Sequence, residues 1–347
     1  MKRTSRLALL GALLATVGCG AQPTSTADGL TGAGSTFVYD IMDKWGREYE
    51  RREGGCKVTY HAWGSSGGVQ FITEKKGDFG CTDAPLTDEE LAAVRAAGDE
   101  VVHVPLVLGA VVAVYNLAEV NEPLRFTGPV LADIFLGKIK RWNAEALRDL
   151  NPGLKLPDQE ILVVHRLDGS GTTDIWTDYL CKVSPEWKRG PGRGREVKWP
   201  TGKGESGNEN VAEYVRRTAG SIGYVELSYA HRKDLAFGLV QNREGKFVRA
   251  RMESVTAAAE DALVEVPDDL RFSLTNAPGK TSYPISGATW AVLYLHQPHR
   301  KGQELLDFLR WVLEDGQQYA ESQFYARLPD ALAVRALRKL NQVQVAE

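Results

Sequence analysis

The residues able to do chemistry in this 347-residue chain gather at three junctions: GAGSTF (32–37), GSSGG (64–68) and DGSGTT (168–173). Each follows an apolar run, sets glycine beside hydroxyl residues and leads into a helix-periodic segment. The third sits in HRLDGSGTTDIW, which brings Arg166, Asp168, Ser170 and Thr172 close together. Such a junction supports one of two chemistries: a nucleophilic hydroxyl with an acid and a base, or the capture of an anion. Ser and Thr cap helices, and the first-turn N–H groups together with the helix dipole attract negative charge. A single junction of this kind is a helix cap. Three of them at strand ends, where open α/β sheets bind ligands, point to an anion held between helix N-termini.

The catalytic readings have less behind them. GSSGG fits G-x-S-x-G, which would make Ser66 the nucleophile of a serine esterase. His103, His165, His231, His296 and His299 all lie downstream, but none stands in a recognisable acid or base motif. GKGESGN (202–208) is not a Walker loop, because Lys203 comes too early and is followed by Gly204. Cys56, Cys81 and Cys181 show no CxxC or Cys/His ligand spacing. They read as small buried residues, with a bridge between two of them left open. No catalytic residue, metal or cofactor is therefore expected.

The elements that must position these residues alternate. A strand ending in TGAG, a helix over STFVYDIMDKWGREYERR, the strand KVTYHAW, a helix after GSSGG, the strand DFGCTDA and a helix opened by Thr87 follow in order. VVHVPLVLGAVVAVYN is long, apolar and β-branched, which suits one or two buried strands crossing between lobes. The alternation resumes through VLADIFLG, EALRDLN, ILVVHR, SGTTDIWTDYL, ENVAEYVRRTAG and SIGYVEL. Residues 241–282 are polar and weakly periodic, ATWAVLYL is a buried strand, and GQELLDFLRWVLEDGQQYAESQ and DALAVRALRKL are amphipathic helices. The pattern predicts an α/β protein with parallel sheets covered by helices, and it contains no solenoid or propeller repeat.

Length and charge narrow the partners. One core stops growing at roughly 250 to 300 residues, so two domains are expected. Residues 1–18 read as a secretory signal: Lys2, Arg3 and Arg6 precede the apolar run LALLGALLATVG. TVGC is similar to a bacterial lipobox, with Thr16 where that pattern usually has Leu, and the resemblance implies lipidation at Cys19. Residues 19–27 then form a flexible tether between that anchor and the domain; the alternative is ordinary cleavage that leaves them a disordered mature N-terminus. Removing residues 1–18 takes three positive charges and no acidic residue, moving the formal balance from −3 to −6. Nucleic acid, or anionic lipid met by a basic surface, is thereby excluded as a first partner. KRGPGRGR (188–195) is basic, but its glycines and proline mark it as a solvated loop.

GAGSTF, GSSGG, DFGCTDAPL, HRLDGSGTTDIWTDYL, VKWP, GKGESGNENVAEYV, SIGYVELSYA and YPISGATW occur in the order and spacing of the phosphate-binding proteins of bacterial ABC phosphate transporters. The resemblance covers nearly the whole mature chain. It implies a type II periplasmic binding protein, with two α/β lobes joined by crossover strands and a ligand cleft between them. Lobe I would be residues 28–112 plus 284–347, and lobe II residues 113–283. It also implies high-affinity binding of inorganic phosphate through Thr36, Phe37, Ser65, Asp83, Arg166, Ser170, Gly171 and Thr172, with Asp168 holding Arg166. Thr36, Ser65, Ser170 and Thr172 would offer hydroxyls, and Phe37 and Gly171 backbone N–H groups. Cys81 and Thr82 precede Asp83 where the family has a short residue, and no contact carries over from the segment after GKG. The implied partners are the membrane permease and ATPase subunits of an ABC importer, with the protein a periplasmic or cell-surface monomer. Asp83 separates phosphate from the alternative of another tetrahedral oxyanion: a carboxylate can accept a hydrogen bond from protonated phosphate and repels sulfate, which has no proton at neutral pH.

Overall fold

The computed structural model describes residues 29–262 and 266–347. The expected signal, the tether and Cys19 lie outside the described residues. The chain begins β1 (Leu30–Gly34), α1 (Tyr39–Arg51), β2 (Val58–His61), α2 (Ser65–Thr73), β3 (Phe79–Thr82), α3 (Asp88–Ala96) and β4 (Val101–Tyr115). It continues β5 (Arg125–Phe126), α4 (Gly128–Phe135), α5 (Glu145–Leu150), β6 (Leu162–Arg166), α6 (Gly171–Val183), α7 (Pro185–Arg189), β7 (Lys203–Glu205), α8 (Gly207–Arg217), β8 (Ser221–Glu226) and α9 (Leu227–Arg232). After β9 (Ala236–Phe237), β10 (Leu239–Gln241), β11 (Phe247–Val248) and α10 (Met252–Ala262), it closes with β12 (Ser286–Tyr294), β13 (His296–Gln297), α11 (His299–Leu313), α12 (Asp330–Leu340) and β14 (Gln344–Val345).

The main sheet runs β2-β1-β3-β12-β4-β8-β6-β7, with β9 also on β4. Strand β4 carries both lobes. Its residues 101–110 pair with β12, and residues 111–115 pair with β8. Every residue from His103 to Tyr115 is buried, which is why the run from Val104 onward is apolar instead of alternating. Deleting a core side chain here, such as Leu106 or Leu108, costs about 2 to 5 kcal/mol.

Two expectations are corrected. The sheet is mixed rather than parallel: β1 is parallel to β2 and β3, and β6 to β7 and β8, but β12 runs antiparallel to β3 and β4, and β4 antiparallel to β8. A chain that crosses between lobes and returns lays its two crossing segments side by side in opposite directions. Residues 241–262 also hold more regular structure than their composition suggests. They hold α10, whose buried face is Ser254, Val255, Ala258 and Ala259. Small side chains give helical spacing with little hydrophobic contrast.

Among the described residues Cys56, Cys81 and Cys181 are free thiols, and no helix is long and apolar enough to cross a membrane.

Candidate functional site

The first two junctions converge on Asp83, just beyond β3. Ser35 Oγ donates to Asp83 Oδ2 at 2.5 Å and accepts the Phe37 N–H at 2.9 Å. Ser65, the first residue of α2, accepts the Asp83 N–H at 3.1 Å and places Oγ 3.3 Å from Asp83 Oδ2. Thr289 of β12 donates to Asp83 Oδ1 at 2.6 Å. The turn before α1 is pinned from behind, since Tyr229 O–H bonds the Thr36 carbonyl and Tyr325 O–H the Phe37 carbonyl, each at 2.6 Å. Burial pushes the Asp83 carboxyl up to about 6, against the opposing hydrogen bonds of Ser35, Thr289 and Ser65 and the charge of Arg166.

The third junction supplies the cation. Arg166 ends β6 with its side chain 1% exposed, and its guanidinium grips Asp168 through Nε at 2.7 Å and through Nη2. Asp168 also accepts the Gly207 N–H at 2.9 Å. Burial alone would raise the Asp168 carboxyl, but its bonds and charge contact with Arg166, aided by that N–H, hold it below the usual range. Ser170 is the N-cap of α6 and accepts the Thr173 N–H at 3.1 Å. The N–H groups of Gly171 and Thr172, in the first turn, have no intrahelical acceptor.

The two lobes meet at these groups. Ser66 N–H bonds the Gly169 carbonyl at 3.0 Å. A Cβ on Gly171 would sit 2.5 Å from Asp83 Oδ2 and against Ser65 Oγ, so only glycine admits this approach. Asn208, fully buried, donates Nδ2 to Thr36 Oγ1 at 3.0 Å and to Thr172 Oγ1 at 3.1 Å. Thr36, Phe37, Ser65, Asp83, Arg166, Ser170, Gly171, Thr172 and Asp168 thus form one connected cluster. The Phe37 N–H, expected as a ligand donor, is bonded to Ser35 Oγ.

Ser66 is held by backbone of the opposite lobe, not by a base. His103 Nε2 accepts the Leu86 N–H at 3.1 Å and burial drives its pKa down to about 4, while His165 stacks on Trp199 and His231 on Phe324.

Sequence reasoning missed four residues. Ser35 lay inside GAGSTF and Thr289 inside GATW, both already noticed as motifs. Asn208 lay in the segment after GKG, where no contact was carried over. The fourth, Arg195, corrects the reading of 188–195 as a solvated loop. Its guanidinium makes two bonds to Glu90, at 2.7 and 2.8 Å, across the cleft, and Arg193 pairs with Asp174 and Asp178. Glu90 is itself fixed at the start of α3 by a reciprocal capping box with Thr87.

Two α/β lobes joined by crossing strands, with buried donors where the lobes face each other, define a periplasmic binding protein, and a family model described as the PBP superfamily domain matches residues 20–315. The chain is 44% identical to the phosphate-binding protein PstS of Pasteurella multocida, covering 94% of this chain and 93% of that protein. It is 43% identical to the phosphate-binding protein PstS of Xylella fastidiosa, over 87% of this chain and 82% of that one. A phosphate-binding protein from Stenotrophomonas maltophilia shares the fold with a TM-score of 0.66 at 19% identity, over 89% of this chain and 93% of that one. The chain belongs to the phosphate-binding protein PstS family.

Proposed function

We propose that this protein binds one inorganic phosphate ion between its lobes and delivers it to an ABC phosphate importer. The observation that carries the reading is the pairing, in one buried cluster, of a single cation, Arg166, with a carboxylate, Asp83, amid hydroxyl and backbone donors. Thr36, Ser65, Ser170 and Thr172 supply hydroxyls, Gly171 an N–H, and Arg166 the positive charge that Asp168 orients. Phe37 gives its N–H by exchanging Ser35 Oγ for a ligand oxygen. Each charge-assisted hydrogen bond contributes roughly 1.5 to 3 kcal/mol, so this set exceeds the about 8 kcal/mol of micromolar binding even after ordering costs. Asp83 accepts the proton that phosphate keeps near neutral pH. It meets sulfate with charge against lone pairs, which is the basis of discrimination.

Lobe I comprises residues 28–112 with 284–347 and lobe II residues 113–283, so closure about the crossing strands and ligand capture are one event. The protein acts as a monomer and meets permease and ATPase subunits. Cys19, as a lipidated residue, would anchor it at the membrane surface. The family's role is transport rather than catalysis, and no catalytic residue, cofactor or metal enters this reading.

Titration calorimetry tests it. Arg166→Ala is expected to weaken phosphate binding at least tenfold, and Asp83→Asn to relax the rejection of sulfate. Near-wild-type affinity in the first variant removes Arg166 from the ligand set, and an unchanged phosphate-to-sulfate preference in the second refutes the role of Asp83.

A further inference from the structure

The position of Asn208 gives it a role that the ligand set does not include. Asn208 is fully buried at the start of α8, directly after Gly207, whose φ of 75° and N–H bond to Asp168 fix the turn. The Glu226 N–H lies 3.3 Å from Asn208 Oδ1. A backbone N–H can only donate, so that bond sets which way the amide is turned, and Nδ2 faces the two threonines.

A hydroxyl has one hydrogen to give and two lone pairs that accept. At Thr36 Oγ1 both acceptor places go to Asn208, through Nδ2 at 3.0 Å and the backbone N–H at 3.4 Å. At Thr172 Oγ1 they go to Asn208 Nδ2 at 3.1 Å and to Arg166 Nη1 at 3.5 Å. Each threonine is left with only its O–H to offer. Asn208 and the two threonines also span the cleft, because Thr36 precedes α1 in one lobe and Thr172 opens α6 in the other.

We infer that Asn208 is a positioning residue that locks Thr36 and Thr172 as obligate hydrogen-bond donors and so tunes the cleft toward ligands that present lone pairs there. The inference rests on the phosphate reading above and adds a selectivity element to it. Unlocked hydroxyls would rotate between donor and acceptor roles, and part of the binding energy would be lost in ordering them.

The test is a double-mutant cycle read by phosphate titration, with thermal unfolding as a check on folding. Asn208→Ala is expected to weaken phosphate binding about tenfold in the wild-type background. With Thr36→Val already present, one of its two targets is gone, and the same change should weaken binding only about threefold. Equal losses in the two backgrounds, or a loss below twofold in the first, would overturn the inference. Should Asn208→Ala fail to fold, Asn208→Leu replaces it under the same criteria, since it keeps a branched side chain of similar size and puts no charge beside the ligand. Wild-type protein in the same titration separates the two ideas. If it does not bind phosphate, the proposed function falls; if it does and the cycle is additive, only the role of Asn208 falls.

Discussion

Asp83 gives a prediction that can be worked through in protein freed of phosphate. Its carboxyl is raised from 3.8 to about 6 because burial penalises the charged form more than Ser35, Thr289, Arg166 and Ser65 favour it. The folded chain therefore holds this proton more tightly than the unfolded chain does. Stability contributed by the group is fully present below about pH 4 and is lost as pH rises through about 6. A rise from 3.8 to about 6 corresponds to about 3 kcal/mol. Asp83→Asn removes the titration and keeps the size, at a fixed cost for presenting an amide to three hydroxyl donors. Subtracting the variant's unfolding free energy from that of wild type cancels the titrations common to both. The wild-type advantage should shrink by about 3 kcal/mol between about pH 4 and about pH 7. Urea unfolding across that range measures it. A difference that stays flat within about 1 kcal/mol would refute the claim that Asp83 is strained by burial, and a difference that grows with pH would reverse its sign.

Gly171→Ala should weaken phosphate binding at least tenfold, because the new Cβ would sit 2.5 Å from Asp83 Oδ2 and 2.4 Å from Ser65 Oγ; calorimetry checks it, and affinity within twofold of wild type would mean that this close approach is not needed for binding. Glu90→Gln should lower phosphate affinity about threefold at low ionic strength, with the gap narrowing in high salt. The Arg195 side chain it releases is 14% exposed and reaches across the cleft, so a salt-independent gap would mean that the pair does not help hold the lobes closed.

What could be read from sequence depended on whether the signal was local. Strand β4 was legible because it is long, β-branched and buried on both faces. The three junctions were legible because glycine beside hydroxyls before a helix has a physical use at each. Strand direction was not, since nothing in the local pattern of β12 shows that it returns antiparallel to β4. Helix α10 was hidden by a buried face of Ser, Val and Ala. Arg195 and Glu90 are 105 positions apart, and Thr289 and Asp83 are 206 apart. Arg195, Glu90 and Thr289 each look like an ordinary surface charge or strand threonine until the fold supplies their partners. Asn208 illustrates the same limit within the site, since its effect lies in the hydrogen-bond roles it leaves to Thr36 and Thr172.

The central claim is that the cluster around Arg166 and Asp83 is a phosphate site. Titrating wild-type protein with phosphate and then with sulfate near neutral pH tests it most directly. One phosphate per chain should bind with micromolar or tighter affinity, and sulfate should bind far more weakly. Absence of phosphate binding, or sulfate binding of equal strength, would contradict the account.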